Sequence, residues 1–529
     1  MSSFKVLLLD GIDPAGLKVI QRTNSITPIV HDKISRELLL DLVPEADGII
    51  VRSGTTIDRE VLSKAKLLKV VGRAGVGVDN VDIDAATEYG ILVMNSPGGS
   101  TTTTAEHTIA MLFAMARNIP QAVESLRHGK WEKSKFKGVE LTGKTLGVVG
   151  LGRIGSEVAR KCQAMGMNVI AYDPYISPDA QLSTGLTLVD LGQIMERADF
   201  ITVHSPLTDA TRGLINKAAI AKMKDGVRLL NCARGGIINE QDLYDALKSG
   251  KVAGAAFDVF EIEPNTESPL LKLDNFIATP HLGASTVEAQ RKVSEDICRQ
   301  VSDYLVRNVV SGALNFPQLE AGQVEGYQHF VDLAARLAGF ISQISDGRMQ
   351  SVAIRYSGEI SEMNLSYLTS VIMRRLLAPV LQSGVNLVNA MHLVALRGIK
   401  VEETRVPAPE NYTNLLTIEL KTDTDLHRAS GTVFIDKVPR IVNVDGYALE
   451  VVPRGAMIYF TNNDKPGVIG KIGTILGQSD VNIAGMHLGR ECLGGKALAL
   501  VLVDNPVPNE VIEKVRAIDN ILTAKAVMV

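Results

Sequence analysis

The sequence predicts an α/β protein in which two doubly wound parallel sheets are followed by an α+β unit and a small ferredoxin-like unit. Three observations lead to this prediction. Short apolar strands alternate with amphipathic helices over residues 4–100 and again over 140–283, which is the pattern of parallel sheets covered by helices. A glycine-rich turn joins a strand to a helix within residues 145–165. Residues 456–528 have the strand–helix–strand–strand–helix–strand order of a ferredoxin-like module.

Two long helices and two junctions divide the chain into domains. A helix over 103–118 follows a Gly-Gly hinge and leads out of the first unit. A second long helix over 284–305 could return to cap that unit, which would make the first domain discontinuous. A linker over 315–326 and a Gly/Pro junction at 452–455 separate the remaining units. The expected domains are 1–98 with 284–315, then 99–283, 316–451 and 452–529.

The cofactor signal is the run Gly150-x-Gly152-x-x-Gly155, which follows an apolar strand and begins a helix. Gly150 permits the tight turn, Gly152 lets the backbone approach a pyrophosphate, and Gly155 lets helix and strand pack closely. The free N–H groups and positive dipole end of the helix then favour phosphates. The next strand ends at Asp173, whose carboxylate can accept hydrogen bonds from ribose hydroxyls. That acid favours a dinucleotide site over the alternative, a turn that is merely tight.

Asp173 also indicates which dinucleotide binds. A carboxylate at this place repels a 2′-phosphate, and the stretch from Pro174 to Gln181 contains no Lys or Arg to bind one. We therefore expect NAD rather than NADP.

Composition excludes several classes of function. The chain is 46% apolar and 22% charged with a net charge of −4, which fits a globular protein and gives no basic surface for nucleic acid or an anionic membrane. The N-terminus reads as a strand rather than a signal peptide, and no apolar run is long enough for a membrane span. The four cysteines are widely separated without a C-x-x-C pattern, so we expect a cytoplasmic protein without disulfides or a metal site.

Charged side chains follow three strands of the second unit, where open α/β sheets place their sites. Arg234 follows one strand, Asp258 and Glu263 follow the next, and His281 follows the last. A neutral imidazole can take a hydroxyl proton near pH 7, and a nearby carboxylate stabilises the imidazolium that forms. Glu263 suits that partner role, while the planar guanidinium of Arg234 suits a substrate carboxylate. Taken singly, each has a plain alternative as a helix cap, a surface ion pair or a solvated turn.

Together, these residues and four sequence runs resemble the D-isomer-specific 2-hydroxyacid dehydrogenase family. The glycine run with Asp173, the Cys-Ala-Arg-Gly-Gly run at 232–236, the run from Asp258 to Pro264 and the run from Pro280 to Thr286 carry the resemblance. It implies a Rossmann-like NAD domain inserted in a flavodoxin-like substrate domain, with Arg234, Glu263 and His281 as the catalytic residues. It further implies that the NAD site is lined by Gly150, Gly152, Arg153, Ile154, Gly155, Asp173, Ser205, Cys232, Ala233, Arg234, Asp258, His281, Leu282, Gly283 and Ala284.

Within that family, the runs at 50–54 and 72–81 and the long C-terminal extension resemble the branch that oxidises 3-phosphoglycerate. The resemblance covers essentially the whole chain. It implies NAD-dependent formation of 3-phosphohydroxypyruvate in the phosphorylated pathway to L-serine. The substrate phosphate must meet cations, and backbone amides at 74–77 could add an anion nest. The expected substrate residues are Arg52, Ser53, Arg73, Gly75 and Arg234.

The C-terminal module resembles an ACT domain, a small-ligand regulator that pairs with a second copy. Asn462, Asp464 and Asn482 match the ligand positions, which implies L-serine as feedback inhibitor and a homodimer or homotetramer. The alternative is two polar turns and a helix cap, and other members carry a His in place of Asn462. The unit over 316–451 shows no catalytic motif and is a possible allosteric domain. Two other functions stay open: oxidation of another D-2-hydroxy acid such as 2-hydroxyglutarate, and a non-enzymatic NAD-sensing partner protein.

Overall fold

A computed structural model describes residues 3–177, 185–317, 324–381, 384–408 and 412–529. Part of the predicted linker, residues 318–323, lies outside the described residues. The end of the stretch after Asp173, residues 178–181, also lies outside them.

The first sheet has five parallel strands in the order β2-β1-β3-β4-β5. The fourth strand pairs with the third from Val70 to Arg73. This register brings Arg73 to the carboxyl end of the strand. The elements are β1 Phe4–Leu9, α1 Pro14–Gln21, β2 Ile26–His31, α2 Arg36–Leu42, β3 Gly48–Val51, α3 Arg59–Lys64, β4 Val70–Arg73, α4 Ile83–Glu88 and β5 Leu92–Asn95.

The second sheet has seven parallel strands in the order β12-β11-β10-β9-β6-β7-β8, with the glycine-rich turn after its central β6. Two helices precede it and one long helix follows it. The elements are α5 Thr101–Ala116, α6 Ile119–Arg127, β6 Thr145–Val149, α7 Arg153–Ala164, β7 Asn168–Tyr172, β8 Thr187–Leu188, α8 Leu191–Arg197, β9 Phe200–Val203, α9 Lys217–Lys222, β10 Val227–Asn231, α10 Glu240–Ser249, β11 Val252–Phe257, β12 Phe276–Ala278 and α11 Val287–Arg307.

The two long helices cross between the sheets in opposite directions. Met111, Leu112 and Met115 of α5 join the core of the second sheet. The α11 helix instead packs its apolar side on the first sheet, where a Cβ at Gly72 of β4 would lie 2.7 Å from Val301. The absence of a side chain at Gly72 therefore lets α11 lie directly against β4.

The third sheet has six strands in the order β14-β13-β15-β16-β17-β18, parallel only between β13 and β14. The edge strand β14 is mostly polar and β16 is rich in small polar residues, so pairing with neighbouring strands rather than apolar alternation decides their structure. The elements are α12 Val324–Ile344, β13 Met349–Gly358, α13 Leu365–Leu381, α14 Ala390–Leu396, β14 Lys400–Val406, β15 Asn414–Thr422, β16 Leu426–Val433, β17 Pro439–Val444 and β18 Tyr447–Val451.

The fourth sheet is antiparallel in the order β20-β21-β19-β22, as the predicted ferredoxin-like module requires. The predicted fold class is confirmed. The elements are β19 Ala456–Asn463, α15 Val468–Gln478, β20 Ile483–Arg490, β21 Lys496–Val503, α16 Asn509–Arg516 and β22 Ile521–Met528.

Helix α12 joins the third and fourth sheets into one packed body. Its buried Leu333, Leu337 and Phe340 lie in one apolar core with residues of both sheets. The side chain of Gln343 donates to the carbonyl of Met528 at 2.8 Å and accepts from its N–H at 2.9 Å. These two bonds fix the last strand of the chain to the helix.

The C-terminal body also touches the first unit. The Asn386 side chain donates to the carbonyl of Gly90 at 2.7 Å, and the rings of Phe316 and Tyr367 meet edge to face at 5.6 Å. Across the described residues, none of the helices combines the length and apolar character needed to cross a membrane.

Candidate active site

The glycine-rich turn has the room that a dinucleotide phosphate needs. Gly150 has a φ of 95°, which favours glycine. A Cβ at Gly155 would lie 2.0 Å from the carbonyl oxygen of Gly150, so only glycine lets α7 begin this close to β6. A Cβ at Gly152 would meet no atom within 4 Å, because this glycine faces open space at the first turn of the helix. The residues therefore fit NAD.

Asp173 lies beside this turn and helps to hold it. One carboxylate oxygen accepts the N–H of Leu151 at 2.8 Å, and the other accepts the N–H of Tyr175 at 2.9 Å. Each oxygen keeps a further lone pair for a ribose hydroxyl. Asp173 thus stabilises the glycine-rich turn through hydrogen bonds and also lies where the ribose of NAD is expected to bind.

The expected cofactor-lining residues at the ends of β9 and β10 include an unsatisfied polar atom. The Ser205 hydroxyl is buried and has no hydrogen-bond partner among the described residues, as a group that awaits a ligand would. Burial raises the pKa of the neighbouring Cys232 thiol to about 12, so this cysteine stays protonated. Burial lowers the pKa of His204 to about 4, and its Nε2 lies 3.0 Å from the Thr202 hydroxyl. His204 therefore remains neutral and packs in the domain.

His281 and Glu263 form the pair that the sequence suggested. The Nδ1 atom of His281 lies 2.7 Å from a carboxylate oxygen of Glu263, and the N–H of Phe260 donates to the other oxygen at 2.9 Å. The hydrogen bond with Glu263 raises the pKa of His281, although burial opposes the rise. Burial also opposes ionisation of Glu263, but the bonds from His281 and Phe260 outweigh it and lower the pKa of that carboxyl. Because Nδ1 is held by Glu263, Nε2 is the ring nitrogen left to face a ligand.

Asp258 is almost fully buried and organises the backbone around His281. Its carboxylate accepts the N–H groups of Leu282 and Gly283, both at 2.7 Å, and the hydroxyl of Thr279 at 2.5 Å. Its carbonyl accepts the N–H of His281 at 3.0 Å. Burial opposes the charge of this carboxylate, yet the hydrogen bonds from His107, Thr279 and Leu282 outweigh burial and lower the pKa of Asp258. Asp258 therefore binds the backbone N–H groups of residues 281 to 283, all of which are expected to line the NAD site.

Arg234 lies where the two parallel-sheet units meet. Its Nε is 3.0 Å from a carboxylate oxygen of Asp79, which belongs to the first unit, and one terminal nitrogen donates to the carbonyl of Ala233 at 2.7 Å. A Cβ at Gly77 would lie 1.8 Å from its other terminal nitrogen. A glycine at that place therefore lets the guanidinium lie over the loop after β4.

Two further arginines of the first unit lie near this point. Burial, and then the nearby Arg234, lower the pKa of Arg73 to about 10, with Arg52 acting in the same direction. The buried Nε of Arg73 has no hydrogen-bond partner among the residues that the structure describes, and a Cβ at Gly75 would lie 1.7 Å from its guanidinium. Within the described chain, no carboxylate forms an ion pair with Arg52 or Arg73. The region is therefore a cluster of positive charge that favours an anion.

The structure brings together only two of the three residues expected to bind a regulator. Asn462 is buried with an unpartnered side-chain oxygen, and Asp464 follows it at the end of β19. Asn482 instead bonds to Asp504 at 2.7 Å. Ala497 pairs with Asn462, whereas Asn482 lies beside Val503, about 20 Å further along β21. Within one chain, strand register therefore separates Asn482 from Asn462 and Asp464.

Three polar residues of the site escaped sequence reasoning. Asp10 accepts the N–H groups of Arg52 and Gly54 and so shapes that loop. Asn231 is fully buried and donates to the carbonyl of Arg234 at 2.8 Å. His107 of α5 lies against Asp258. Asn231 stands in a recognisable motif, but nothing in the local pattern around Asp10 or His107 sets it apart from an ordinary turn or helix residue.

Comparison with known proteins shows what this arrangement belongs to. Residues 109–283 match the family model of the D-isomer specific 2-hydroxyacid dehydrogenase NAD binding domain, residues 327–445 that of the D-3-phosphoglycerate dehydrogenase intervening domain, and residues 456–520 that of the ACT domain. The fold and site therefore define an NAD-dependent oxidoreductase of the D-isomer specific 2-hydroxyacid dehydrogenase class.

Full-length relatives narrow the class. D-3-phosphoglycerate dehydrogenase of Archaeoglobus fulgidus is 44% identical over 98% of this chain and 99% of that protein. The enzymes of the same name from Methanocaldococcus jannaschii and Bacillus subtilis are 42% and 38% identical over 98% and 99% of this chain, and over 98% and 99% of their own lengths. The chain belongs to the D-3-phosphoglycerate dehydrogenase family, which confirms the family and the cofactor expected from sequence.

Solved structures of the class match the first two sheets. A glyoxylate reductase from Paecilomyes thermophila is 30% identical with a TM-score of 0.55, covering 59% of this chain and 99% of that one. A D-lactate dehydrogenase from Aquifex aeolicus, complexed with NAD and lactic acid, is 30% identical with a TM-score of 0.51, covering 57% and 95%.

The tight contact at Gly155 generates a prediction for NAD binding. Gly155→Ala places a methyl group against the Gly150 carbonyl, so the turn must shift and the dissociation constant for NAD should rise at least about tenfold, or ~1.4 kcal/mol. NADH fluorescence titration measures it. Gly339→Ala is the matched control, because a Cβ there meets no atom within 4 Å. Equal affinities for both variants would contradict this account of the turn.

Proposed function

We propose that this enzyme oxidises 3-phospho-D-glycerate to 3-phosphohydroxypyruvate, the first step of the phosphorylated pathway to L-serine. The observation that carries the proposal is the pairing of two features across one cleft. The His281–Glu263 pair lies on the NAD-binding side, and the unneutralised Arg52 and Arg73 lie on the other. The names of the full-length relatives support the same substrate.

Each group has a chemical task in this proposal. Arg234 binds the substrate carboxylate and orients its α-carbon, exchanging part of its contact with Asp79 for that carboxylate. Nε2 of His281 takes the hydroxyl proton, and Glu263 stabilises the imidazolium. Bound NAD supplies the acceptor for the hydride. Arg52 and Arg73, with Ser53 and the amide of Gly75, bind the phosphate.

We also propose the domain division 1–98 with 284–315, 99–283, 316–451 and 452–529. The packing of α11 on the first sheet supports the discontinuous first domain, and the ACT match supports the last. A cytoplasmic location is proposed because all four cysteines are free thiols.

L-serine is the proposed inhibitor, bound at the ACT domain. The buried oxygen of Asn462, unpartnered among the described residues, supports an amino-acid site, and the carboxylate of Asp464, which lies 3.6 Å from Arg490, is placed to bind an amino group. Since Asn482 lies far from both within one chain, we propose that a second copy supplies it, in a homodimer or homotetramer.

The substrate proposal predicts a phosphate-specific loss. NADH should form from 3-phosphoglycerate, and Arg73→Gln should raise KM for this substrate by about 10- to 100-fold, because a charge-assisted hydrogen bond contributes roughly 1.5–3 kcal/mol. KM for 2-hydroxyglutarate, which carries no phosphate, should change far less. Arg22→Gln, at the exposed end of α1, is the control. Equal changes for both substrates would remove the phosphate argument, and NADH formation from 2-hydroxyglutarate alone would favour the other substrate class.

The His281–Glu263 pair predicts a pH dependence. Because Glu263 raises the pKa of His281 and only the neutral ring accepts a proton, kcat/KM for oxidation should fall as pH drops through that raised pKa. Glu263→Gln should shift the midpoint to lower pH, since the uncharged amide no longer favours imidazolium.

His281→Ala should lower kcat at least about 100-fold with NAD binding retained. Turnover that survives in His281→Ala would place the base elsewhere.

The regulatory proposal is tested by inhibition assays. Asn462→Ala should raise the L-serine concentration for half-inhibition about tenfold, the effect of losing one hydrogen bond of ~1.4 kcal/mol. Asn509→Ala, on the exposed start of α16, should be inhibited like the wild type. An enzyme that L-serine does not inhibit would reject the assignment of this effector.

A further inference from the structure

A polar network links helix α5 to Asp258 and to the loop that carries His281. His107 of α5 is 17% exposed, and its Nε2 lies 3.0 Å from the Thr279 hydroxyl and 3.2 Å from a carboxylate oxygen of Asp258. The Thr279 hydroxyl gives its one hydrogen to Asp258, so toward His107 it can only accept. Nε2 of His107 therefore carries a hydrogen and donates it to this pair.

The buried charge of Asp258 needs such a donor. Its side chain is 1% exposed, and a buried carboxylate is costly unless it is fully hydrogen-bonded or paired. In the described part of the chain, His107 is the one cationic or cationisable side chain within 4.0 Å of it. Helix α5 thus supplies Asp258 with a side chain that can carry a positive charge, whereas the loop residues supply only neutral donors.

The backbone of the loop held by Asp258 is strained at His281. His281 has a φ of 55°, a left-handed conformation that non-glycine residues keep only when their surroundings impose it. Asp258 imposes it from both sides, because its carbonyl binds the N–H of His281 and its carboxylate binds those of Leu282 and Gly283. If the carboxylate turned away, the backbone would relax and the imidazole would leave Glu263.

We propose that His107 is a positioning residue for the dehydrogenation: through Thr279 and Asp258 it holds the backbone of residues 281–283, and so keeps the His281 ring on Glu263. It touches neither substrate nor the reacting atoms. The inference rests on the proposed role of His281 as the base.

Helix α5, which carries His107, also packs against the segment that leads from the catalytic loop into α11. A Cβ at Gly283 would lie 3.3 Å from the Thr104 methyl group, one turn before His107. The hydroxyls of Thr103 and Thr286 are 3.4 Å apart, which joins the first turn of α5 to the N-cap of α11. The network is therefore anchored on a packed helix rather than on a mobile surface loop.

Two substitutions at this position test the proposal. His107→Phe keeps the ring volume and removes the donor, whereas His107→Gln places an amide N–H near the position of Nε2. His107→Phe should lower kcat roughly 10- to 100-fold, as misplacement of a catalytic group by about 1 Å does. KM for 3-phosphoglycerate should stay within about threefold, well under the ~1.4 kcal/mol of a tenfold change. His107→Gln should recover most of kcat.

The experiment distinguishes failure of the positioning role of His107 from failure of the proposed function. His128→Gln changes an exposed histidine whose ring is hydrogen-bonded to Glu124, and should leave kcat unchanged. If His107→Phe and wild type have equal kcat while His281→Ala is inactive, the positioning role is wrong and the proposed function stands. If His107→Gln is as impaired as His107→Phe, the residue acts by packing and the proposal is again wrong. If His281→Ala stays active, the proposed function itself fails.

Discussion

The buried carboxylate of Asp258 is the interaction on which the geometry of this site depends. It stands at the end of β11 and binds the loop that follows β12, so it joins the carboxyl ends of two neighbouring strands. The loop holds His281 in a conformation that its own backbone disfavours. Glu263, from the segment after β11, then meets the imidazole at 2.7 Å. A parallel sheet makes this possible, because it delivers both segments to the same edge.

The second constraint on the site is that the carboxyl edges of the first and second sheets face each other. The first sheet ends β4 at Arg73, and the second sheet ends β10 just before Arg234. The pairing of Arg234 with Asp79 spans the cleft between them at 3.0 Å. The long helices α5 and α11 connect the units in opposite directions, and α11 returns to the first core. A cleft formed in this way presents cations from both units to one small anion, which is why we assign a phosphorylated hydroxy acid to it.

Much of this organisation was readable from the sequence because local and global signals agree. The strand, glycine-rich turn and helix predicted within residues 145–165 are observed as β6 and α7, because the short apolar run there is followed directly by turn residues. The glycine run gave the cofactor, and the charged residues at strand ends gave the pair of His281 and Glu263.

The remainder depends on contacts between distant parts of the chain. The edge strand β14 is mostly polar and exposed and carries no strong apolar alternation, so pairing with its neighbour decides its structure. His107 reads as one polar residue in an Ala- and Met-rich helix, and only the fold brings it to Asp258. The separation of Asn482 from Asn462 follows from the strand order of the fourth sheet, which motif matching does not give.

A crystal structure of the His281→Asn variant with NAD and 3-phosphoglycerate bound would test the central claim most directly, since it shows which groups hold the substrate. The account predicts the phosphate against Arg52 and Arg73, the carboxylate against Arg234, and the C2 hydroxyl facing position 281. A phosphate bound away from both arginines, or a hydroxyl pointing away from position 281, would contradict it.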